Sequence, residues 1–214
     1  MLRPRVIPTL LLKNGGLVKG LRYKKHKYVG DPINVVKIFN EKEVDEIVIL
    51  DITARQRGGI DFDLIKQIAS EAFMPFAYGG GVRTIEDVEK LFNIGVEKIV
   101  LNTSAFQNQQ LIREAVSLAG SQSIVASIDV KRSLLGKYKV MIENGSRSIN
   151  LSPKEYVLHL ESMGVGEVLV TSIDREGSGL GYDIKLMNEL STSISIPLIA
   201  HGGAATLEHF KEVV

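Results

Sequence analysis

The sequence contains no cysteine, which excludes disulfides, thiolate metal sites and a cysteine nucleophile and leaves the redox compartment unspecified. Neither sign of charge predominates: 26 Lys and Arg stand against 25 Asp and Glu, a formal net charge of +1. A nucleic-acid binder held by bulk positive charge is therefore not expected. No apolar run approaches the ~18 residues that a membrane span needs. The run Val6–Leu12 is interrupted by Pro8, and no small-residue cleavage site follows it, so it reads as a first strand rather than a secretion signal. The expectation is a cytoplasmic protein. With 44% hydrophobic and 24% charged residues the composition is that of an ordinary globular protein. The length fits one large domain over residues 1–214.

Short apolar runs alternate with longer amphipathic stretches. The runs are Val6–Leu12, Ile47–Ile52, Phe76–Tyr78, Ile99–Asn102, Ile124–Asp129, Val168–Ser172 and Leu198–Ala200. They are continuously apolar, as expected for parallel strands covered on both faces. Helix starts are marked by Asp31-Pro32, by Ser152-Pro153 with Glu155 completing a capping box, and by Thr84. Gly95, Gly120 and Gly164 stand where helix ends want a left-handed residue. Lys137–Asn150, with Asn144-Gly145 as its turn, reads as a hairpin over one end of the sheet.

An internal repeat selects the architecture. Pro75-Phe-Ala-Tyr-Gly-Gly-Gly-Val-Arg-Thr-Ile-Glu matches Pro197-Leu-Ile-Ala-His-Gly-Gly-Ala-Ala-Thr-Leu-Glu, an offset of 122 residues (197 − 75). Glu46-Ile-Val-Ile-Leu-Asp-Ile matches Glu167-Val-Leu-Val-Thr-Ser-Ile at 121 (167 − 46), and Ile7–Lys13 matches Val125–Lys131 at 118 (125 − 7). Four βα units used twice make a (βα)8, or TIM, barrel. Only seven strand runs are found, so the expectation is a barrel whose eighth strand and helix are absent from this chain.

In such a barrel, chemistry sits at the C-terminal ends of the strands. Those positions hold Lys19, Asp51, Gly79-Gly80-Gly81, Asn102-Thr103, Asp129, Asp174, Gly177 and His201-Gly202-Gly203. Glycine lets backbone approach an anion closely, and successive N–H groups at a helix start favour negative charge. Two glycine clusters at equivalent places are either ordinary βα turns or two phosphate sites, and the latter would imply a substrate phosphorylated at both ends. Asp51 and Asp174 either take part in chemistry or brace loops. No cofactor and no metal are implied. At the opposite end, Arg5, Glu46, Lys98 and Glu167 each precede an apolar run by one residue, two cations and two anions that could neutralise one another.

The stretches Val18-Lys19-Gly20, Gly30-Asp31-Pro32, Asp45-Glu46-Ile-Val-Ile-Leu-Asp-Ile-Thr-Ala, Tyr78-Gly-Gly-Gly, Ile128-Asp129-Val-Lys-Arg and Leu169-Val-Thr-Ser-Ile-Asp-Arg-Glu-Gly resemble the cyclase subunit of imidazole glycerol phosphate synthase over essentially the whole sequence. The resemblance implies a barrel that receives ammonia from a glutaminase and adds it to a bis-phosphorylated ribulosyl intermediate of histidine biosynthesis. By the same resemblance, Gly81, Asn102 and Thr103 would hold one phosphate, with Gly177, Gly202 and Gly203 at the other. Lys19 would lie in a mobile first loop, and Asp129 would be half of a carboxylate pair. Arg5, Glu46, Lys98 and Glu167 would form the gate for ammonia, with the glutaminase on the N-terminal face.

The other half of the pair is missing. Carried back by 118 residues, Asp129 falls on position 11, which is Leu11, and leucine neither takes nor gives a proton. Thr9 stands where many family members have cysteine and His201 where they have serine; His201 would either exchange protons near neutral pH or simply be hydrogen-bonded beside the glycine turn. The opening Pro8-Thr-Leu-Leu-Leu-Lys-Asn-Gly-Gly resembles a paralogous branch tied to surface-polysaccharide sugars, which implies a glutamine amidotransferase partner and conversion of a sugar amide to an amidine. The basic segment Arg22–Lys27 would suit a polyanionic nucleotide sugar, or is a solvated loop. The alternatives are the histidine-pathway reaction itself and a barrel that only binds and activates a glutaminase. The related aminoimidazole carboxamide isomerase also wants a carboxylate at position 11 and is disfavoured.

Overall fold

All seven apolar runs become strands, in a computed structural model that describes residues 4–214. In chain order the elements are β1 (Thr9–Lys13), β2 (Gly16–Leu21), β3 (Lys24–Gly30), α1 (Pro32–Glu41), β4 (Ile47–Asp51), α2 (Phe62–Glu71), β5 (Phe76–Gly79), α3 (Ile85–Asn93), β6 (Lys98–Leu101), α4 (Thr103–Gln107) and α5 (Gln109–Ala119). They continue with β7 (Ile124–Arg132), β8 (Tyr138–Ile142), β9 (Arg147–Ser148), α6 (Pro153–Ser162), β10 (Glu167–Ser172), α7 (Ile184–Ser191), β11 (Leu198–His201) and α8 (Leu207–Val213). The first strand starts later than Val6. Pro8 has no N–H to give, and the ladder to β4 begins with its carbonyl, which accepts from Val48 N at 2.9 Å.

The parallel path runs β11-β10-β7-β6-β5-β4-β1, as the seven expected strands require. Outward-facing residues such as Ile47, Ile49, Phe76, Ile99, Leu101, Val168 and Val170 pack in one core with the helix stripes Ile65/Ile68, Val88/Leu91, Leu111/Ala115, Val157/Leu160 and Leu186/Leu190. Inward, Val48, Ala77, Val100, Val125 and Leu169 form a second cluster. Ile7, just ahead of β1, and Ile199 of β11 both pack on it, so the sheet curls until its two ends share one interior. The fold is the TIM-barrel type. Among the described residues β11 pairs with β10 alone, and its four residues are all partly exposed where the six of β10 are all buried.

The helix signals act where the sequence places them. The Asp31 side chain accepts from Asn34 N with Pro32 opening α1, and Ser152 and Thr84 each close a capping box, with Glu155 and Asp87. Gly95, Gly120 and Gly164 take φ of 102°, 81° and 91°.

One expectation is corrected. The segment expected as a mobile loop around Lys19 is a β-hairpin, β2–β3, antiparallel to β1. Its entry turn is Asn14-Gly15, with φ of 50° and 82° between the paired residues Lys13 and Gly16. This is the two-residue geometry whose twist matches paired strands. Asn144-Gly145 makes the expected turn between β8 and β9, with φ of 56° and 76°.

Candidate functional site

The C-terminal strand ends and the two hairpins enclose a cavity of about 760 Å³. Of the residues expected there, Gly81, Asn102, Thr103, Asp129 and His201 line it, and so does Leu11. Lys19, Asp174, Gly177, Gly202 and Gly203 do not. Lys19 is exposed in β2 opposite Lys27. Asp174 accepts from Arg132 N at 2.7 Å and so braces the extension of β7. A side chain on Gly177 would run into the Gly20 carbonyl, and one on Gly203 into that of Gly181. At these two positions close backbone approach and φ of 67° and 102° both demand glycine.

Around the first glycine cluster several polar groups converge that the sequence reading did not single out. Arg55 and Arg83 line the cavity. The Arg83 guanidinium donates to the Arg55 carbonyl at 3.5 Å, and Arg55 pairs with Glu143 at 3.3 Å. Thr103 Oγ1 accepts from Glu143 N at 2.9 Å, which ties the β8–β9 turn to the end of β6. On the same turn, Asn144 Nδ2 donates to the Ile52 carbonyl at 2.9 Å. Asp51 lines the cavity too, but its carboxylate is taken: it pairs with Arg57 at 2.5 Å and accepts from Thr53 N at 2.9 Å. It is a brace.

Asp129 lies on β7 with 6% of its surface exposed. Burial pushes its pKa up to about 6, against hydrogen bonds from Tyr23 and Asn102 that favour the ionised form. Tyr23 Oη donates to Asp129 Oδ1 at 2.6 Å. His201 sits on β11 with Nδ1 3.1 Å from Thr171 Oγ1, and burial lowers its pKa to about 4. Of the two expectations for His201, a hydrogen-bonding imidazole fits this environment better than one exchanging protons near neutral pH.

These two groups tilt stability in opposite directions. Asp129 is protonated more readily folded (about 6) than unfolded (about 3.8), so it adds stability below about pH 4, and this is lost as pH rises through 6. His201 does the reverse: its contribution is full above its unfolded value of about 6.5 and fades as pH falls toward 4. Asp129→Asn is accordingly expected to stabilise the protein at pH 7–8 by on the order of 2 kcal/mol, with the gain vanishing below about pH 4. Urea unfolding at both pH values checks it; no gain at pH 8 would refute it.

At the other end of the barrel the four expected charges form a closed ring. Arg5 bridges Glu46 at 2.7 Å and Glu167 at 2.5 Å, and Lys98 bridges the same two carboxylates at 2.8 and 3.1 Å. Glu46 is buried, and its Oε1 has no partner among the described residues. No group of three or more His, Asp or Glu suited to a metal ion occurs among the described residues. No described helix is long and apolar enough to cross a membrane.

The family described as "Histidine biosynthesis protein" matches residues 5–214. The chain is 48% identical over 208 residues to a Pseudomonas aeruginosa protein provisionally named imidazole glycerol phosphate synthase subunit hisF2, covering 97% of this chain and 83% of the relative. It is 43% identical over 213 residues to imidazole glycerol phosphate synthase subunit HisF of a Hydrogenobaculum species, covering 99% and 84%. A third relative, provisionally named hisF3 of the same synthase in Vibrio vulnificus, is 41% identical over 216 residues, covering 100% and 83%. The chain belongs to the histidine biosynthesis family, among the HisF-type subunits of imidazole glycerol phosphate synthase and their paralogues.

Proposed function

We propose that the protein is an ammonia-using barrel with a changed acceptor. Ammonia from a glutaminase docked on the N-terminal face enters through the ring of Arg5, Glu46, Lys98 and Glu167. It crosses the barrel and meets a phosphorylated acceptor in the cavity. Gly81, Asn102 and Thr103, with Arg55 and Arg83 beside them, hold one phosphate; backbone around Gly177, Gly202 and Gly203 serves the other, and Lys19 and Asp174 frame the entrance. Asp129 handles the proton, and neutral His201 orients the incoming nitrogen. The acceptor is a sugar amide of the surface-polysaccharide kind rather than the histidine-pathway intermediate.

The observation that carries this reading is the contrast between the two ends of the barrel. The ring of four charges is complete, with each cation touching both anions. At the mouth, Asp129 shares its cavity with Leu11 where the family reading wants a carboxylate. A retained entrance and an altered exit fit continued ammonia supply to a different acceptor.

The test is to mix the purified chain with candidate glutaminases and follow glutamine hydrolysis. A stable complex with stimulated hydrolysis is expected, and absence of a complex overturns the reading. A complex that hydrolyses glutamine but transfers ammonia to no acceptor would instead identify the chain as a glutaminase activator.

A further inference from the structure

The turn between β2 and β3 is held in a conformation that neither of its residues favours. Arg22 and Tyr23 take φ of 52° and 61°, the left-handed region that disfavours residues with a Cβ. Strain of this kind persists where surrounding contacts over-determine it, and it concentrates at functional positions. Here those contacts come from the loop after β10. Arg22 N donates to the Glu176 carbonyl at 3.0 Å, and Tyr23 N donates to Glu176 Oε2 at 2.9 Å. Glu176 is itself buried, with its N–H bonded to the Ser172 carbonyl at 2.9 Å.

The strained turn carries the Tyr23 side chain over the mouth. Its ring lies against Gly145 of the other hairpin, where an added Cβ would come within 3.2 Å of it. Its hydroxyl reaches Asp129 Oδ1 at 2.6 Å. Leu11 lines the same cavity and offers no polar atom to that carboxylate. We propose that Tyr23 is the positioning residue for Asp129, supplying from the hairpin the polar contact that the first strand cannot make. The inference rests on the reading of Asp129 as the proton-handling group of the proposed function.

A phenol that donates to a carboxylate favours its ionised form and fixes one of its oxygens. The charged or titratable groups lining the same cavity are Asp51 at the end of β4, Arg55 and Arg83 beside the first glycine cluster, Glu143 on the β8–β9 turn, Glu176 behind the tyrosine, His26 on β3 and His201 on β11; Asn102 after β6 and Thr171 on β10 add neutral polar contacts. Tyr23 makes the direct hydrogen bond to the Asp129 carboxylate, and Asn102 adds a smaller push toward the ionised form. Burial and the nearby Asp129 charge in turn hold the Tyr23 phenol well above its ordinary range.

The experiment is a carbon-13 NMR titration of Asp129 in the whole chain. Tyr23→Phe keeps the ring against Gly145 and removes only the hydroxyl, so the Asp129 midpoint is expected to rise by about one unit. Tyr28→Phe, at an exposed position of β3, is the control and leaves the midpoint unchanged. The reciprocal readout is the Tyr23 phenol, which in Asp129→Asn moves down toward its ordinary range because the anionic neighbour is gone. If neither midpoint moves, Tyr23 does not position Asp129. Neither measurement needs a glutaminase or an acceptor. Failure of the ammonia reading therefore leaves this result standing, and a flat titration leaves the ammonia reading intact.

Discussion

With ammonia supplied directly, turnover of the ribulosyl intermediate of histidine biosynthesis is expected to fall about 10²–10⁴-fold below that of a family member with aspartate at position 11, the usual contribution of one general acid–base group. Leu11 pairs with Leu50 on one side and Val18 on the other, so no neighbour in the ladder brings a replacement carboxylate to its place. Leu11→Asp is expected to recover only part of the loss. The new carboxylate would share a cavity with Asp129, and two interacting acids titrate as a pair whose upper value is pushed up. Asp129 is also already engaged by Tyr23. The comparison is kcat for the wild type and Leu11→Asp beside an aspartate-bearing subunit. A wild-type rate equal to that subunit's would sink the assignment of a changed acceptor.

Lys98→Glu is expected to abolish glutamine-dependent transfer while sparing transfer from free ammonia. Lys98 touches both Glu46 and Glu167, whose side chains are 2% and 11% exposed, so reversing its charge sets three carboxylates against Arg5 alone. Breaking a buried pair typically costs about 3–5 kcal/mol, and partial exposure of the two cations places this case toward the lower end. A fall in Tm should accompany the loss of coupling. Lys98→Met, which removes the cation without adding an anion, gives a milder variant for the same pair of assays. If the folded variants still use glutamine normally, the ring is only a plug that neutralises the barrel base.

The parallel strands were legible because each is a continuous apolar run, and the half-chain repeat turned seven such runs into a barrel. Boundaries slipped where a single residue controls them, as at Pro8. The β2–β3 hairpin escaped notice although Asn14-Gly15 signals it as openly as Asn144-Gly145 signals the other. Its strands lie at the sheet margin with lysines facing water, so they lack the apolar pattern that marks a strand. Tyr23 is hidden with it: nothing local in Arg-Tyr-Lys-Lys signals the left-handed two-residue turn that joins paired Leu21 and Lys24, and Glu176, more than 150 residues away, supports it by receiving both amides. The glycine clusters were found but their reasons were mixed. Gly81 lines the cavity, whereas Gly177 and Gly203 are explained by backbones that touch. The ring at the barrel base follows from four positions one residue ahead of the apolar runs, because parallel strands in register bring equivalent positions to one depth.

The β2–β3 hairpin exposes Lys19, Arg22, Lys24, Lys25 and Lys27, and the sequence has no acidic residue between Lys13 and Asp31. Five cations on one projecting ribbon create a local field far stronger than the net charge of +1 would imply. That field extends over a Debye length of about 8 Å at physiological ionic strength. If the acceptor is a polyanion, as proposed, this field speeds its approach to the mouth before it touches any binding residue, and dissolved salt slows that approach. The ring at the opposite end pairs its cations internally and is nearly deaf to the same salt. Under the proposed function, ionic strength would therefore separate the traffic at the two ends of the barrel, acting on the arrival of a charged acceptor and leaving the entry of ammonia, a neutral molecule, almost untouched.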